Sequence, residues 1–200
     1  LSVWLLPLAA FAGVDGVAEP SMPSSGLPRG ESALQALARR QEVLAKLGLL
    51  ALKNVGLEVL FAEAVARIRA TLDADTCTIL ELLADGDAFV ARAAIGWEPP
   101  LAGQFIVVAG DRSQAGYTLL SAEPVVVEDF LTEHRFEVPV HLLQSGIRSG
   151  MTVIIHGHDR PFGSFGVHSR QLRHFSKEEV DYLQTAANVI ASAIEHRRAE

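Results

Sequence analysis

The chain has 200 residues, of which 49% are hydrophobic and 20% charged, and 17 Lys+Arg against 24 Asp+Glu leave a formal net charge of −7. This composition excludes collagen-like, low-complexity and wholly disordered proteins, and the length favours one domain with an appendage. An acidic chain with a pI near 5.5 has no field that would gather phosphate backbones, so we expect no nucleic-acid partner. The single cysteine, Cys77, excludes an internal disulfide framework and fits a reducing cytoplasm.

Residues 1–31 differ in kind from the rest, because they hold four of the nine prolines and few charges. The apolar run over residues 1–11 is far shorter than the roughly 20 residues that span a bilayer, and it lacks the basic start of a secretion signal. Three interpretations of the apolar run stay open: the end of a membrane helix, an alternative start of the chain, or a cloning remnant. The stretch SMPSSGLPRG at residues 21–30 is typical of a flexible linker.

Two helices are predicted after this segment. Ser32 precedes Gln35 at the spacing of a capping box, and leucines follow at helical intervals, which predicts a terminal dimer or signalling helix over residues 32–52. A second apolar stripe predicts a helix over residues 56–71. We treat residues 53–200 as one domain that ends in a long helix.

The residue pattern after the second helix is typical of β-strands. The segments TCTILELL and AFVARAAIGW flank the turn ADGD, whose Asp85-Gly86 pair predicts a hairpin. A second hairpin is predicted to join residues 150–157 to residues 162–169 across a turn at residues 158–161. Between the hairpins we predict an extended piece over residues 105–108, a helix near 113–121 and a strand over 125–127, whereas residues 128–148 show no strong period.

The last predicted element is a long helix that starts at a capping box formed by Ser176 and Glu179. Its apolar residues repeat at steps of three and four, the spacing of a seam that faces a partner helix in a two-stranded coiled coil. The alternative is that the stripe covers the sheet, and the two can coexist on different faces. As the dimerisation and signalling seam we predict Val180, Leu183, Ala187, Ile190 and Ile194.

The C-terminal half resembles a GAF domain, the small sensory module of two-component kinases, cyclases and phosphodiesterases. The matching positions are Gly163, Phe165, Val167, Ser169, Phe175, Ser176, Glu179, Leu183, Ala187, Ile190, Ala193 and Ile194. Upstream, ATLDADTCTILEL, AAIGW and SGIRSGMTVII resemble the family's first helix and its strands. The resemblance covers about residues 56–198. It implies an α+β, PAS-related fold: a central antiparallel sheet of about five to six strands, with terminal helices on one face and short helices and loops over a pocket on the other.

Metal binding and catalysis find little support in the residues. His156, His158, His168 and His174 fall within nineteen residues. However, a hairpin register with Gly163 opposite His156 puts His168 roughly 17 Å along its strand and on the other face, so His156 and His168 cannot share an ion. A thiol inside a strand, as predicted for Cys77, is usually inert. No hydrolase, metalloprotease or nucleotide-loop motif is found, so we predict no catalysis and no metal.

The resemblance implies a pocket whose ligand stays unknown. The Asn-Lys-Phe-Asp-Glu constellation of cyclic-nucleotide binders is incomplete here, and Cys77 is misplaced for bilin attachment. A haem would take His134 or His141 as its axial ligand. The implied cavity lies between the sheet and residues 113–146, and pockets of this kind are mostly apolar. As its walls we predict Trp97, Phe105, Tyr117, Phe130, Phe136 and His141.

Two smaller expectations concern the same region. Gly110–Ser113 is expected to cap a helix, and Arg148 is expected to pair with Glu128 or Asp129. Taken together, the sequence predicts a cytoplasmic, homodimeric sensor that relays a pocket change through its terminal helices to an output domain, such as a histidine kinase or a nucleotide cyclase. A ligand-free structural spacer is the alternative, and a sulfoxide-reductase-like enzyme is disfavoured by the single thiol.

Overall fold

A computed structural model describes residues 33–53, 55–98 and 106–199, so the predictions for residues 1–31, Ser32 and Phe105 lie outside the described residues. The described chain runs α1 (Ala33–Leu52), α2 (Leu57–Thr71), β1 (Thr76–Leu82), β2 (Ala88–Ile95), β3 (Ile106–Val108), α3 (Gln114–Ser121), β4 (Val125–Val127), α4 (Val140–Gln144), β5 (Ser149–Ile155), β6 (Gly163–Ser169) and α5 (Lys177–Ala199). Apart from α4, which falls in the stretch without a strong period, each element lies where the residue pattern predicts one.

The six strands form one sheet in the order β3-β2-β1-β6-β5-β4, and every neighbouring pair is antiparallel. Strands β2, β1, β6 and β5 therefore lie inside the sheet, and β1, β6 and β5 are called the central strands below. Helices α1, α2 and α5 cover one face of the sheet, where they form the main apolar core with the inward side chains of the central strands. Helices α3 and α4 lie on the other face. This arrangement confirms the predicted α+β fold.

The first hairpin forms as predicted, because Gly86 adopts the positive φ of +80° that its turn needs. A bulge between Ile79 and Leu80 leaves Arg92 of β2 without a partner residue in β1. Arg92 instead forms ion pairs with Glu58 of α2 and Glu81 of β1. Beyond the bulge the side chains of β2 change faces, which brings a second set of apolar residues to the face away from α2.

The second hairpin forms with a register that differs by one residue from the prediction. Gly163 lies opposite Ile155, not opposite His156, and the Phe162 backbone N–H donates to the Ile155 carbonyl. The whole segment over residues 156–162 leaves the ladder, because Gly157 packs against the Arg160 carbonyl and Pro161 has no N–H to offer a partner strand. The predicted four-residue turn was therefore too short.

Helix α5 begins at the predicted capping box. The Ser176 N–H donates to Glu179 Oε2 at 2.9 Å, and the Glu179 N–H donates to Ser176 Oγ at 3.3 Å. The predicted seam faces the sheet and α1 of the same chain: Leu183, Ala187, Ile190 and Ile194 are buried in the core and Val180 packs against it. The outward face of α5 is polar, with Asp181, Thr185, Asn188 and Ser192 exposed. In this structure the stripe thus covers the sheet, and a partner helix has no access to it.

No helix in the described part of the chain combines the length and the apolar character needed to cross a membrane.

Candidate functional site

The three central strands have one apolar face and one face of small and polar residues. On β6, Phe165 and Val167 point into the main core, whereas Ser164, Gly166 and His168 alternate on the other face. Strand β1 has threonines at positions 76 and 78 on that face, and β5 has glycine at 150 and threonine at 152. All these residues are buried, so the sheet presents a polar surface beneath α3 and α4, where solvent does not reach it.

The register of the strands centres this surface on Gly166. Thr78 of β1 and Thr152 of β5 lie directly opposite Gly166 on its two sides. Ser164 and His168 lie two residues away along β6, on the same face. The floor of the site is therefore bare backbone at Gly166, bordered by three hydroxyl groups and one imidazole.

His168 is held in one tautomer by a chain of hydrogen bonds. The Gln114 side-chain amide donates to the Val125 carbonyl at 3.0 Å, which leaves Gln114 Oε1 as an acceptor. That oxygen lies 3.2 Å from His168 Nε2, so Nε2 carries the proton and donates. The other ring nitrogen, Nδ1, then accepts from Thr76 Oγ1 at 3.4 Å. Strand β6 is thereby tied to β1, to α3 and, through Gln114, to β4.

Two imidazoles at the site are neutral at physiological pH. Burial, with a smaller contribution from the neighbouring His141, lowers the pKa of His168 from 6.5 to about 3. Burial alone lowers the pKa of His141 from 6.5 to about 4. Both shifts have the same main origin, since a charged imidazole loses its hydration in an apolar surrounding. The site therefore offers dipoles and ring faces, but no positive charge from these groups.

A cavity of about 50 Å³, enough for a few water molecules, lies between this floor and the helices. Trp97 forms one wall, with its ring centroid 5.6 Å from that of His168 and 5.9 Å from that of His141. The Trp97 indole Nε1 donates to Thr78 Oγ1 at 2.7 Å, which fixes the ring against the floor. The other lining residues come from β1, β3, α3 and α4, and from the residue that precedes each of these two helices. They are Leu80, Val107, Ser113, Gln114, Ala115, Pro139 and Leu142.

Ser164 carries a buried polar atom with no partner. Its side chain is 1% exposed and lines the cavity, and its Oγ makes no hydrogen bond. Within the described residues, only Ser164 and Tyr182 have such an atom, and Tyr182 lies in the opposite core. Burying a hydroxyl without a partner costs free energy, so this atom marks a place where a bound molecule would gain a hydrogen bond.

The cavity continues outward into a second, more open hollow. The two share Val107, Pro139 and His141, so these three residues surround the passage between them. The outer hollow is larger, about 190 Å³, and includes Arg112 and Glu137, which form an exposed ion pair at 3.5 Å. Charged groups are thus found outside the passage and not in the inner cavity.

Comparison with known families decides what kind of domain this is. The sequence model of the GAF domain matches residues 56–194, which is more than half of the chain. The chain belongs to the GAF domain family. GAF domains generally serve as regulatory sensor modules. A search of the curated proteins found no match.

Solved structures of other GAF domains share the fold at low identity. The GAF domain of a phosphoenolpyruvate-protein phosphotransferase from Coxiella burnetii is 20% identical, with a TM-score of 0.72, over 82% of this chain and 96% of that one. The free methionine-R-sulfoxide reductase of Neisseria meningitidis, solved with its substrate, is 21% identical, with a TM-score of 0.71, over 88% and 99%. The phycocyanobilin-bound GAF domain of a cyanobacterial phytochrome is 21% identical, with a TM-score of 0.68, over 80% and 96%.

The pocket residues predicted for this GAF domain fall into three groups. Trp97 and His141 line the cavity. Phe130, Phe136 and Tyr117 belong to the apolar cluster beside it, where Tyr117 packs against Phe136 with ring centroids 5.6 Å apart. The ring centroid of Phe130 lies 6.0 Å from that of His168. The sixth predicted residue, Phe105, is outside the described part of the chain.

The polar floor, which includes Thr78, Thr152, Ser164 and His168, was not predicted from the sequence. A signal for it was present, since the central strands alternate apolar residues with small or polar ones, and β5 and β6 are buried along their whole length and β1 over its first five residues. In a strand buried on both faces, near-continuous apolar residues are the norm. Repeated Gly, Ser and Thr on one face therefore indicate a surface that is covered but not filled.

The remaining predictions for charged and reactive residues have clear structural outcomes. Arg148 forms the expected ion pair with Asp129, at 2.9 Å, and Ser113 caps α3 by accepting from the Gly116 N–H at 3.0 Å. Cys77 is fully buried in the helix-side core, and burial raises the pKa of its thiol. The thiol therefore lies on the opposite side of the sheet from the cavity.

The histidines of the metal hypothesis lie apart from one another. His168 is in the cavity, whereas His156, His158 and His174 are exposed, and His174 Nδ1 lies 2.6 Å from Glu128 Oε1. Among the described residues, no group of three or more His, Cys, Asp or Glu side chains has a metal-binding arrangement. Of the two haem candidates, His141 faces the cavity and His134 is on the wall of a separate surface cleft.

Proposed function

We propose that this GAF domain binds a small molecule in the cavity over Gly166 and passes the change on to an output domain. The observation that carries the proposal is the Ser164 hydroxyl, which is buried, has no partner among the described residues and lines the inner cavity. A pocket with mostly apolar walls and a few fixed polar groups is the usual form of a small-molecule site. Membership of a family of regulatory sensors supports the same function.

In this proposal the signal leaves through α5, because β6 forms the pocket floor and is followed by α5 after only residues 170–176. The output would be a histidine kinase of a two-component system, or a nucleotide cyclase, in the cytoplasm. Binding would bias a two-state arrangement of the terminal helices, which requires that the ligand bind one state more tightly than the other.

The proposed homodimer forms through α1, because α1 has an apolar outer face and α5 does not. Leu34, Leu37, Leu49 and Leu52 are between 52% and 81% exposed. They lie opposite Val43 and Leu47, which pack into the core. A second copy of the chain that presents the same face would bury these leucines in a symmetric contact. The terminal helices thus remain the proposed dimer elements, with the contact on α1 in place of the predicted α5 seam.

Native mass spectrometry of protein purified from its source tests the ligand proposal. The parent should carry a bound small molecule, and Gly166→Ala should carry much less, because the new methyl group would project into the cavity. The Cβ of alanine would lie 3.4 Å from Thr152 Oγ1 and from His168 Cε1, so the variant is expected to fold. Ser192→Ala, on the outer face of α5, is the control and should retain the molecule.

A ligand-free structural spacer is the second candidate function, and the small volume of the cavity favours it. Protein without a bound molecule, and without a thermal shift across a panel of metabolites, would support the spacer. A thiol enzyme of the sulfoxide-reductase type is disfavoured, because the sheet separates the only thiol from the cavity.

Sedimentation tests the dimer. Leu49→Glu together with Leu52→Glu should convert a dimer to a monomer, whereas Leu172→Glu, at an equally exposed leucine away from α1, should not. A parent protein that is already monomeric would refute the α1 contact.

A further inference from the structure

The charge and shape of the inner cavity restrict what it can hold. The fourteen residues of the described chain that line it include no Lys, Arg, Asp or Glu. We infer that the inner cavity holds an uncharged, planar amide group with hydrogen-bond donors and acceptors on its edge, such as the end of an aromatic carboxamide whose ring passes Val107, Pro139 and His141 into the outer hollow. The inference rests on the proposed function, since it names the ligand class of the same site.

The absence of ionised groups among these lining residues disfavours charged ligands in the inner cavity on energetic grounds. A carboxylate or phosphate placed there would lose its hydration, and the neutral imidazoles of His168 and His141 would provide no counter-charge. An ammonium group would lack an acidic partner for the same reason. Unpaired charges in apolar surroundings are strongly disfavoured. The Arg112–Glu137 pair outside the passage carries both signs and favours neither.

The floor favours a flat molecule because it is flat itself. Gly166 has no side chain, so a planar amide group can lie on its peptide backbone between Thr78 and Thr152, which flank it in the register. Trp97 closes one side with an aromatic face. A molecule with a bulky tetrahedral centre would instead meet the two threonines before it reached the floor.

The hydroxyl groups around Gly166 determine the edge chemistry. Ser164 Oγ has no partner among the described residues and can both donate and accept. Thr78 Oγ1 already accepts from Trp97, so the group it offers to a ligand is its own proton. The nitrogens of His168 are both engaged, with Gln114 and Thr76, and they present a ring face in place of a donor. An amide edge, with a carbonyl beside an N–H, matches this combination.

Benzamide and benzoate are matched probes, because they share the ring and differ in charge. Isothermal titration calorimetry at pH 7 should give a dissociation constant for benzamide at least about tenfold lower than for benzoate, since the carboxylate must enter a site without a cation. Ser164→Ala should weaken benzamide binding by about fivefold to tenfold, which is the usual worth of one hydrogen bond. Gly166→Ala should weaken it further, and Ser192→Ala should leave it unchanged.

Benzoate that binds as tightly as benzamide would overturn the ligand class and leave the proposed function standing. Benzamide binding that is insensitive to both Ser164→Ala and Gly166→Ala would also overturn it, because the probe would then bind elsewhere. If neither probe binds, the class is wrong for this cavity. A molecule found by native mass spectrometry in the parent protein would still support the proposed function in that case, so the two failures are distinguishable.

Discussion

Acidification should destabilise the folded domain through His168. The imidazole is buried at 8% exposure, and burial lowers its pKa from 6.5 to about 3. In the unfolded chain the same group protonates near its ordinary pKa. Between these two values the unfolded state binds more protons than the folded state, so the free energy of unfolding falls as the pH falls.

The size of this effect follows from the two pKa values. For each pH unit between the two pKa values, the free energy of unfolding falls by about 1.4 kcal/mol, because the unfolded chain binds one proton that the folded chain does not bind. The unfolded chain begins to bind this proton near pH 6.5. Between pH 7 and pH 5, His168 should therefore lower the free energy of unfolding by about 2 kcal/mol. This is a large part of the roughly 5–15 kcal/mol that stabilises a typical domain.

Urea unfolding of the parent and of His168→Gln at pH 7 and pH 5 measures this contribution. Glutamine can still donate to Gln114 Oε1 but does not titrate, so the variant should lose about 2 kcal/mol less stability over this interval than the parent. Ser192→Ala changes an exposed side chain on the outer face of α5 and adds or removes no titratable group, so it serves as the control, with a pH dependence equal to that of the parent. Equal pH dependence in the parent and in His168→Gln would refute the assignment of a buried neutral imidazole.

Three further predictions concern the packing of α5, the cap at its N-terminus and the burial of Cys77. Leu183→Glu should cost more than about 4 kcal/mol in urea unfolding, since it puts an unpaired charge into the core, whereas Ser192→Glu on the outer face of the same helix should cost less than about 0.5 kcal/mol. Glu179→Ala should cost about 1–2 kcal/mol, because it removes the reciprocal cap and the ion pair with Arg173, and the same titration measures it. Cys77 should be unreactive towards an aromatic disulfide reagent in the folded chain and react fully in urea; fast reaction of the native protein would contradict its burial.

Much of this fold could be predicted because local signals agreed with the packing. The Asp85-Gly86 turn and the cap formed by Ser176 and Glu179 are short-range patterns that the structure reproduces residue by residue. The register of the second hairpin was not predictable in the same way. It depends on how residues 156–162 fold back on themselves, and the sequence of a longer loop does not determine its conformation.

The site was harder to predict than the fold, because the residues predicted to line the pocket were almost all aromatic. Aromatic side chains do form one wall, through Trp97, but Phe130 and Phe136 belong to the neighbouring apolar cluster. The floor is made of residues that carry little chemical signal individually, such as Gly166 and Ser164. Their meaning depends on the strand register, which brings residues far apart in the sequence to one face.

The α5 seam shows why helical periodicity alone does not identify a dimer interface. A stripe at steps of three and four meets the needs of a partner helix and those of a sheet equally well. Burial distinguishes the two, since Leu183 and Ile190 are fully enclosed by their own chain. Leu49 and Leu52 of α1, by contrast, are exposed although they follow the same periodicity, and these are the residues that a second copy can reach.

The link between the pocket floor and α5 is short and anchored along its length. The Ser169 Oγ and the Arg170 N–H both donate to Asp75, at 3.0 Å and 2.7 Å, and the Arg173 guanidinium donates to the Leu72 carbonyl at 2.6 Å. A segment held in this way does not absorb a displacement as a slack loop would. In the proposed relay, a ligand that moves His168 must therefore either break these bonds or shift the start of α5 together with the turn that precedes β1.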